Sequence, residues 1–309
     1  MELRFYRRSD PPSRPVTANE PFEYPALYAT AGQLSAESQT SYLRLIRGEY
    51  ALLIIAAVLS LNLSDSALFY VAYALVFISA LAVLIARSWR KPEQDWYKGR
   101  ALAESIKTSC WRYCMRAEPF GDADSVVVRR AEFRNHLREI LDANRHIGDR
   151  IPPDAAANDQ ITQSMEQTRA QSLDERKSYY EVRRIRDQRA WYARKASANK
   201  SASRWWMIGG IVAYALAIFL ALLRIAYPEP EIWPIEPLIV VASSIVGWTQ
   251  VKKFNELASS YTLTAHEIGI IQGRVRDVAT EEEFSEFVNE AEQAFSREHT
   301  HWVARQQAQ

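Results

Sequence analysis

Few residues in this chain have the types and spacing that chemistry requires. The densest group is the run Ser296-Arg297-Glu298-His299-Thr300-His301-Trp302. His299 and His301 are two residues apart, so on a helix they point to different faces and cannot chelate a metal as an i, i+4 pair does. Glu298 beside His299 resembles an acid–base pair, but no nucleophile or orienting third group accompanies it. His266-Glu267 reads the same way. Cys110 and Cys114 are the two cysteines. Neighbouring turns of one helix make poor disulfide geometry, and the further ligands of a tetrahedral zinc site are missing. They read as ordinary thiols of a reducing compartment. None of the 10 glycines falls into P-loop or dinucleotide spacing, and no nucleophile elbow or kinase signature is present. The expectation is a chain that is not an enzyme, with no catalytic, cofactor-binding or metal-binding residues. The net charge of +1 gives no case for nucleic acid, which needs clustered excess Lys and Arg.

The elements that would position any functional group are apolar segments. Residues 50–63 are short but preceded by Leu43, Leu45 and Ile46, and residues 67–86 run without a charge. Only Ser64, Asp65 and Ser66 separate them, so they must form an antiparallel hairpin. Residues 205–223 and 232–248 form a second pair around the linker Tyr227-Pro228-Glu229-Pro230-Glu231. A span needs about 20 mostly apolar residues, and Trp205, Trp206, Trp233 and Trp248 fall at segment ends, where indole favours the headgroup layer. The expected fold is an all-α membrane protein. Its four transmembrane helices form two hairpins, at about 48–87 and 205–250, each followed by long cytoplasmic helices. Glu236 and Pro237 are placed at the interface. The spans contain only mild polar groups such as Asn62, Ser79, Ser243 and Ser244, which does not look like a coupled transporter. Basic residues flank both hairpins on one side (Arg44, Arg47, Arg87, Arg90, Lys91, Arg194, Lys195, Lys200, Arg204, Lys252, Lys253), with Arg224 as the exception. The positive-inside rule then puts both termini and the central region in the cytoplasm of a multi-pass protein of the bacterial inner membrane.

Beyond the fourth span, Phe254, Leu257, Tyr261, Thr264, Ile268, Ile271, Val275 and Val278 recur at intervals of three and four. Such a heptad seam demands a partner helix. After the second span Trp96, Gly99, Ala103, Ile106, Cys110, Tyr113 and Ala117 keep the same alternation. Superposing the seams puts Trp96 on Phe254, Ala103 on Tyr261 and Cys110 on Ile268, which reads as an internal duplication. Phe254, Leu257, Tyr261, Thr264, Ile268, Ile271, Val275, Trp96, Ala103 and Ile106 are the expected oligomer or helix seam. Residues 126–147 form an amphipathic helix with Phe133, Leu137, Ile140 and Leu141 on one side. No Pro or Gly interrupts residues 160–205, and their mixed charges suggest one long solvated helix. Thr280 with Glu283 forms a capping box before a stripe of Phe284, Val288, Ala291, Phe295 and Trp302. Arg297, Glu298, His299 and Trp302 are the expected partner-docking tail. The organisation is a flexible tail over 1–21 (basic and proline-rich, without the apolar core of a signal peptide), a first unit over 22–150 and a second over 151–309. The boundary lies in the Pro-containing stretch 148–158.

The run YPALYATAGQLSAESQTSYLRLIRGEYALLIIAAVLSL, with WYKGRALAESIKTSCWRYCMRAEPF after the hairpin, resembles one type of SLATT domain. The second half resembles another, carried by Arg186-Asp187-Gln188, Trp191-Tyr192, Lys195-Ala196, Asn199, Phe287-Val288, Ala291-Glu292, Ser296 to Thr300 and Trp302. SLATT domains are two-span effectors of bacterial conflict systems, associated with nucleotide-generating (SMODS) and nucleotide-sensing (SLOG) partners. The resemblance implies a pore-forming or membrane-perturbing effector, homo-oligomeric in the lipid bilayer and signalled by a nucleotide sensor or nucleotidyltransferase. The alternative is a non-catalytic membrane scaffold anchoring such a partner. It supplies no catalytic residues or cofactors.

Overall fold

The computed structural model describes residues 22–121, 125–150 and 159–307, without the side chains of residues 146, 147, 149 and 297–307. The expected tail over 1–21 lies outside the described residues, as does most of the expected boundary stretch. Among the described residues the chain is helical, with no strand.

Two copies of one arrangement follow each other. In the first, α1 (Ala26–Leu59) is a single 34-residue helix that includes the first apolar segment. After a turn through Asn62, α2 (Ala67–Arg90) starts at Ser66, whose hydroxyl accepts from the Phe69 amide at 3.2 Å. It packs back against α1. Lys91 then takes the left-handed conformation, φ 44°, and α3 (Pro92–Met115) begins at the next residue. One left-handed residue ends a helix, and proline suits the first position of the next because it needs no amide donor there. The chain turns at this point and α3 runs back along α1. In the second copy α7 (Asp187–Ala226) is 40 residues long, α8 (Ile235–Lys252) packs on it, Lys253 is left-handed with φ 48°, and α9 (Phe254–Arg274) runs back along α7.

The left-handed lysines set the register of the duplication one helical turn from the sequence-based superposition. Pairing Lys91 with Lys253 puts Pro92 on Phe254, Gly99 on Tyr261, Leu102 on Thr264 and Ile106 on Ile268, and all eight residues are buried. The seam pattern survives a one-turn shift almost unchanged, because the period of the apolar stripe is the period of the helix. Only the backbone break distinguishes the two registers.

Gly99 shows how closely α3 approaches α1. A Cβ there would lie 3.0 Å from the Ser35 amide nitrogen and 3.2 Å from the Ala31 carbonyl oxygen. The Ser35 hydroxyl also donates to the Trp96 carbonyl at 3.2 Å. In the second copy the matching position is Tyr261, whose ring packs 5.6 Å from Trp191 and 5.5 Å from Tyr192. The same topology is thus built once with a tight contact and once with an aromatic spacer.

Residues 160–205 do not form one solvated helix. α5 (Gln163–Arg169) and α6 (Leu173–Tyr180) are separate, because Ser172 and Glu175 form a reciprocal capping box that starts a new helix. A π-helical turn, Glu181–Arg186, follows before α7. α5 and α6 pack on α3, as does α4 (Val126–Ala143) through buried Phe133 and Leu137. α10 (Glu281–Gln307) opens with the predicted box, the Thr280 hydroxyl accepting from the Glu283 amide at 3.2 Å. It lies across α3 and α9. One core therefore joins Leu102, Ile106 and Trp111 of the first copy to Tyr192, Ile268 and Phe284 of the second.

The apolar segments differ from this core. α2 has no buried side chain along its 24 residues, and Leu68, Val71, Leu75, Ile78, Leu81 and Ile85 are exposed. The apolar half of α7 exposes Ile211, Ile218, Phe219 and Leu222. These two stretches are long and apolar enough to cross a membrane. Such surface has no place in water, since large exposed apolar patches mark a lipid or protein contact.

Candidate functional site

The groups richest in potential interactions are buried arginines that hold the packed helices together. The π-helical turn places Arg184 and Ile185 in the interior. Widened turns of this kind recur at functional positions. Arg184 is 2% exposed and faces Glu292 of α10, which is fully buried. The pair is bidentate, with Nε to Oε1 at 2.8 Å and Nη2 to Oε2 at 2.6 Å. The Tyr180 hydroxyl donates to Oε1 at 2.9 Å and the Thr108 hydroxyl to Oε2 at 3.0 Å. Arg184 also donates to Gln188 at 3.4 Å and lies 4.9 Å from the Phe295 ring centre. Five elements (α3, α6, the π turn, α7 and α10) thus meet at one ion pair. Burial works against the Arg184 charge, but Glu292 outweighs it and raises the guanidinium above its ordinary range. Burial and the nearby carboxylate both push the Tyr180 phenol up, so it stays a donor.

A second set of arginines closes the end of α3. The last carbonyls of a helix have no partner within it. Arg169 donates to the Tyr113 carbonyl, to Phe120 at 2.9 Å and to Gly121 at 2.8 Å. Arg176 donates to the Met115 carbonyl at 2.8 Å and pairs with Glu281. Beside them the Tyr113 hydroxyl and Arg130 both donate to Glu166, at 2.7 and 3.1 Å. Burial pushes the Glu166 carboxyl up, yet these donors and the positive charge of Arg130 and Arg169 outweigh it and hold the carboxyl below its usual range.

The predicted seam residues are nearly all inside this one chain. Tyr261, Ile268 and Val275 join the main core, Phe254 joins a smaller core with Ile46 and Trp248, and Thr264 is buried on the same face. Leu257 and Ile271 are half-buried against them. Ala103 and Ile106 are buried on α3, and Trp96 is half-buried, 6.2 Å from Tyr42. Within one chain, the helix that meets the α9 seam is α7. The backbone of α10 covers Arg297, Glu298, His299 and Trp302, but their side chains lie outside the described residues. Cys110 and Cys114 are buried thiols, pushed well up by burial. Among the described residues no group of three His, Cys, Asp or Glu side chains is placed to hold a metal ion. The arrangement binds helices to one another.

Sequence reasoning missed the Arg184–Glu292 pair. One signal was available. Glu292 interrupts the apolar stripe of Val288, Ala291 and Phe295, and a charge on the inward face of an amphipathic helix implies a buried partner.

Two cavities adjoin the apolar segments and the junction beneath them. One, of about 490 Å³, lies among α1, α2 and α8, with Ser60, Glu236, Ser243 and Ser244 supplying its polar lining. The two copies also touch where α1 meets α8. There a Cβ on Gly247 would collide with the Tyr50 hydroxyl, and Arg47 lies 5.1 Å from the Trp248 ring centre.

No curated protein and no solved structure matches the chain. Two family models do. Residues 25–177 match the one described as SMODS and SLOG-associating 2TM effector domain 3, and residues 180–302 the one described as SMODS and SLOG-associating 2TM effector domain 1. The matches meet at the end of α6, so each takes in one copy of the long helix, the returning apolar helix and the helix after the left-handed lysine. The chain belongs to the SLATT family and carries two of its two-transmembrane effector domains in tandem.

Proposed function

We propose that this protein is a four-span effector of a bacterial defence module that assembles with copies of itself and permeabilises the membrane when a cytoplasmic partner signals. The observation that carries the reading is α2, a 24-residue helix without a buried side chain that leads directly into a packed helical bundle. At 1.5 Å per residue it is about 36 Å long, enough for a hydrocarbon core of about 30 Å. The 18 residues of α8 reach about 27 Å, and exposed Leu53, Ile55 and Val58 extend the apolar belt onto α1. The basic flanks favour cytoplasmic termini. Glu49 near the base of the first span pairs with Arg87 at the base of the second, 3.3 Å apart.

The name of the matching domains points to a nucleotide-generating or nucleotide-sensing partner. Its signal would reach the spans through α1 and α7, each cytoplasmic at one end and apolar at the other, with α3 and α9 packed along them. The mainly apolar cavity among α1, α2 and α8, with Ser60, Glu236, Ser243 and Ser244 on its wall, is the place where a water path would open. Assembly would use surface left outside the intrachain core. Leu263 and Ile270, 68% and 73% exposed, lie two turns apart on the outer face of α9.

The test is induced expression with a potential-sensitive dye, with and without the product of the neighbouring gene. Depolarisation is expected. Full membrane insertion with an unchanged potential under both conditions would overturn the effector reading and leave a scaffold.

A further inference from the structure

A cavity of about 270 Å³ lies between the two units, close to both left-handed lysines, where α1 and α3 meet α7, α8 and α9. Trp96, Tyr97 and Trp191 supply flat apolar walls, and Arg100, Lys195 and Lys252 supply positive charge. Among the described residues no acidic side chain lines it.

Cations in such a place normally find carboxylates. Lys195 and Lys252 form no ion pair among the described residues, and neither does nearby Arg47. Their close neighbours are rings instead. The Lys195 ammonium lies 5.8 Å from the Trp191 ring centre, and that of Lys252 lies 6.0 Å from Trp248 and 5.9 Å from Phe254. Burial pulls the Lys252 ammonium below its usual range, and the positive charge of Arg47 and Lys195 adds to this. Lys252 is half-buried with exposed Lys195 and Arg47 beside it, and an anion that joins these cations offsets their mutual repulsion. Asn199 and Gln39 add hydrogen-bonding groups to the same wall.

We propose that this cavity binds an organic phosphate, with the phosphate between Lys195 and Lys252 and the uncharged part against Trp96, Tyr97 and Trp191. The size is just under the usual lower bound for small-ligand sites, about 300 Å³, which suits one headgroup or one mononucleotide. Because both units line the cavity, its occupant ties them together. Phospholipid headgroups and soluble phosphate esters share this chemistry, and the level of the cavity below the apolar segments is compatible with both.

The test is thermal unfolding of the detergent-solubilised full chain with three probes: dioctanoyl phosphatidylglycerol, dioctanoylglycerol and AMP. A raised midpoint is expected with phosphatidylglycerol or AMP and not with dioctanoylglycerol. Protection by the lipid alone assigns a headgroup site, and protection by AMP a soluble ligand. Lys195→Gln and Lys252→Gln should each weaken the apparent affinity about tenfold without lowering the ligand-free midpoint. Lys195→Arg should retain binding. Protection by neither phosphate, or equal protection of the double Lys→Gln variant, overturns the proposal.

Discussion

Removing the carboxylate of Glu292 tests the buried network most directly. Glu292→Gln keeps the shape of the side chain and deletes the charge. Arg184, 2% exposed, then has no counter-ion, and one end of the new amide presents N–H groups to a guanidinium that can only donate. Breaking a buried ion pair from one side costs about 3–5 kcal/mol. That is a large share of the stability of an ordinary domain, about 5–15 kcal/mol. Arg184→Met should cost a similar amount, since Glu292 would keep only the Tyr180 and Thr108 hydroxyls as donors. The double variant Arg184→Met with Glu292→Leu removes both charges and fills the space with apolar groups. With Glu292→Leu as the second single variant of the cycle, the double should be no worse than either single change, giving a coupling of about 3 kcal/mol or more. The assay is urea unfolding in detergent, followed by tryptophan emission, as a double-mutant cycle. Single costs that simply add would refute the reasoning, because they would mean that the two charges do not share one desolvated site.

Gly99→Ala should destabilise the protein by about 1–3 kcal/mol through overpacking, whereas Gly32→Ala, with nothing within 4 Å of its added Cβ, should be neutral or slightly stabilising. A lowered thermal midpoint for the first variant alone checks this. Acidification should loosen the packed helical bundle in two stages. Burial, aided by Arg112, pulls the His136 imidazole below its ordinary 6.5, so the unfolded chain takes up its proton first and stability falls as pH drops below that value. Glu166 is also depressed from its ordinary 4.5, so its contribution is complete above that pH and is lost as pH falls through the lower folded value. A pH series of unfolding midpoints, with His136→Gln removing the first stage and Glu166→Gln the second, reads both signs. Leu263→Asp with Ile270→Asp should leave the unfolding midpoint unchanged and reduce the particle mass in detergent. Ile268→Asp, two residues from Ile270 on the buried face, should unfold the bundle instead, and circular dichroism separates the two outcomes.

Sequence alone determined the helical class, the apolar segments and the presence of two related units, because these depend on local composition and period. A run such as residues 67–86 has no charge to solvate, whatever surrounds it. The Thr280–Glu283 box marks a helix start because a cap is completed within four residues. The break at Ser172 carried the same kind of signal, and the absence of Pro and Gly around it obscured it. The tertiary structure alone decided which charges are interior. Arg169, Arg176 and Arg184 lie in a stretch whose composition suits a solvated helix, and their partners are far away in sequence: carbonyls at the end of α3, and Glu281 and Glu292 on α10. It also decided the duplication register, since a periodic stripe fits itself again after every turn and only the left-handed Lys91 and Lys253 mark where each helix begins. The partner of the α9 seam follows the same logic. A heptad pattern demands a second helix without saying whose it is, and here α7 of the same chain covers it.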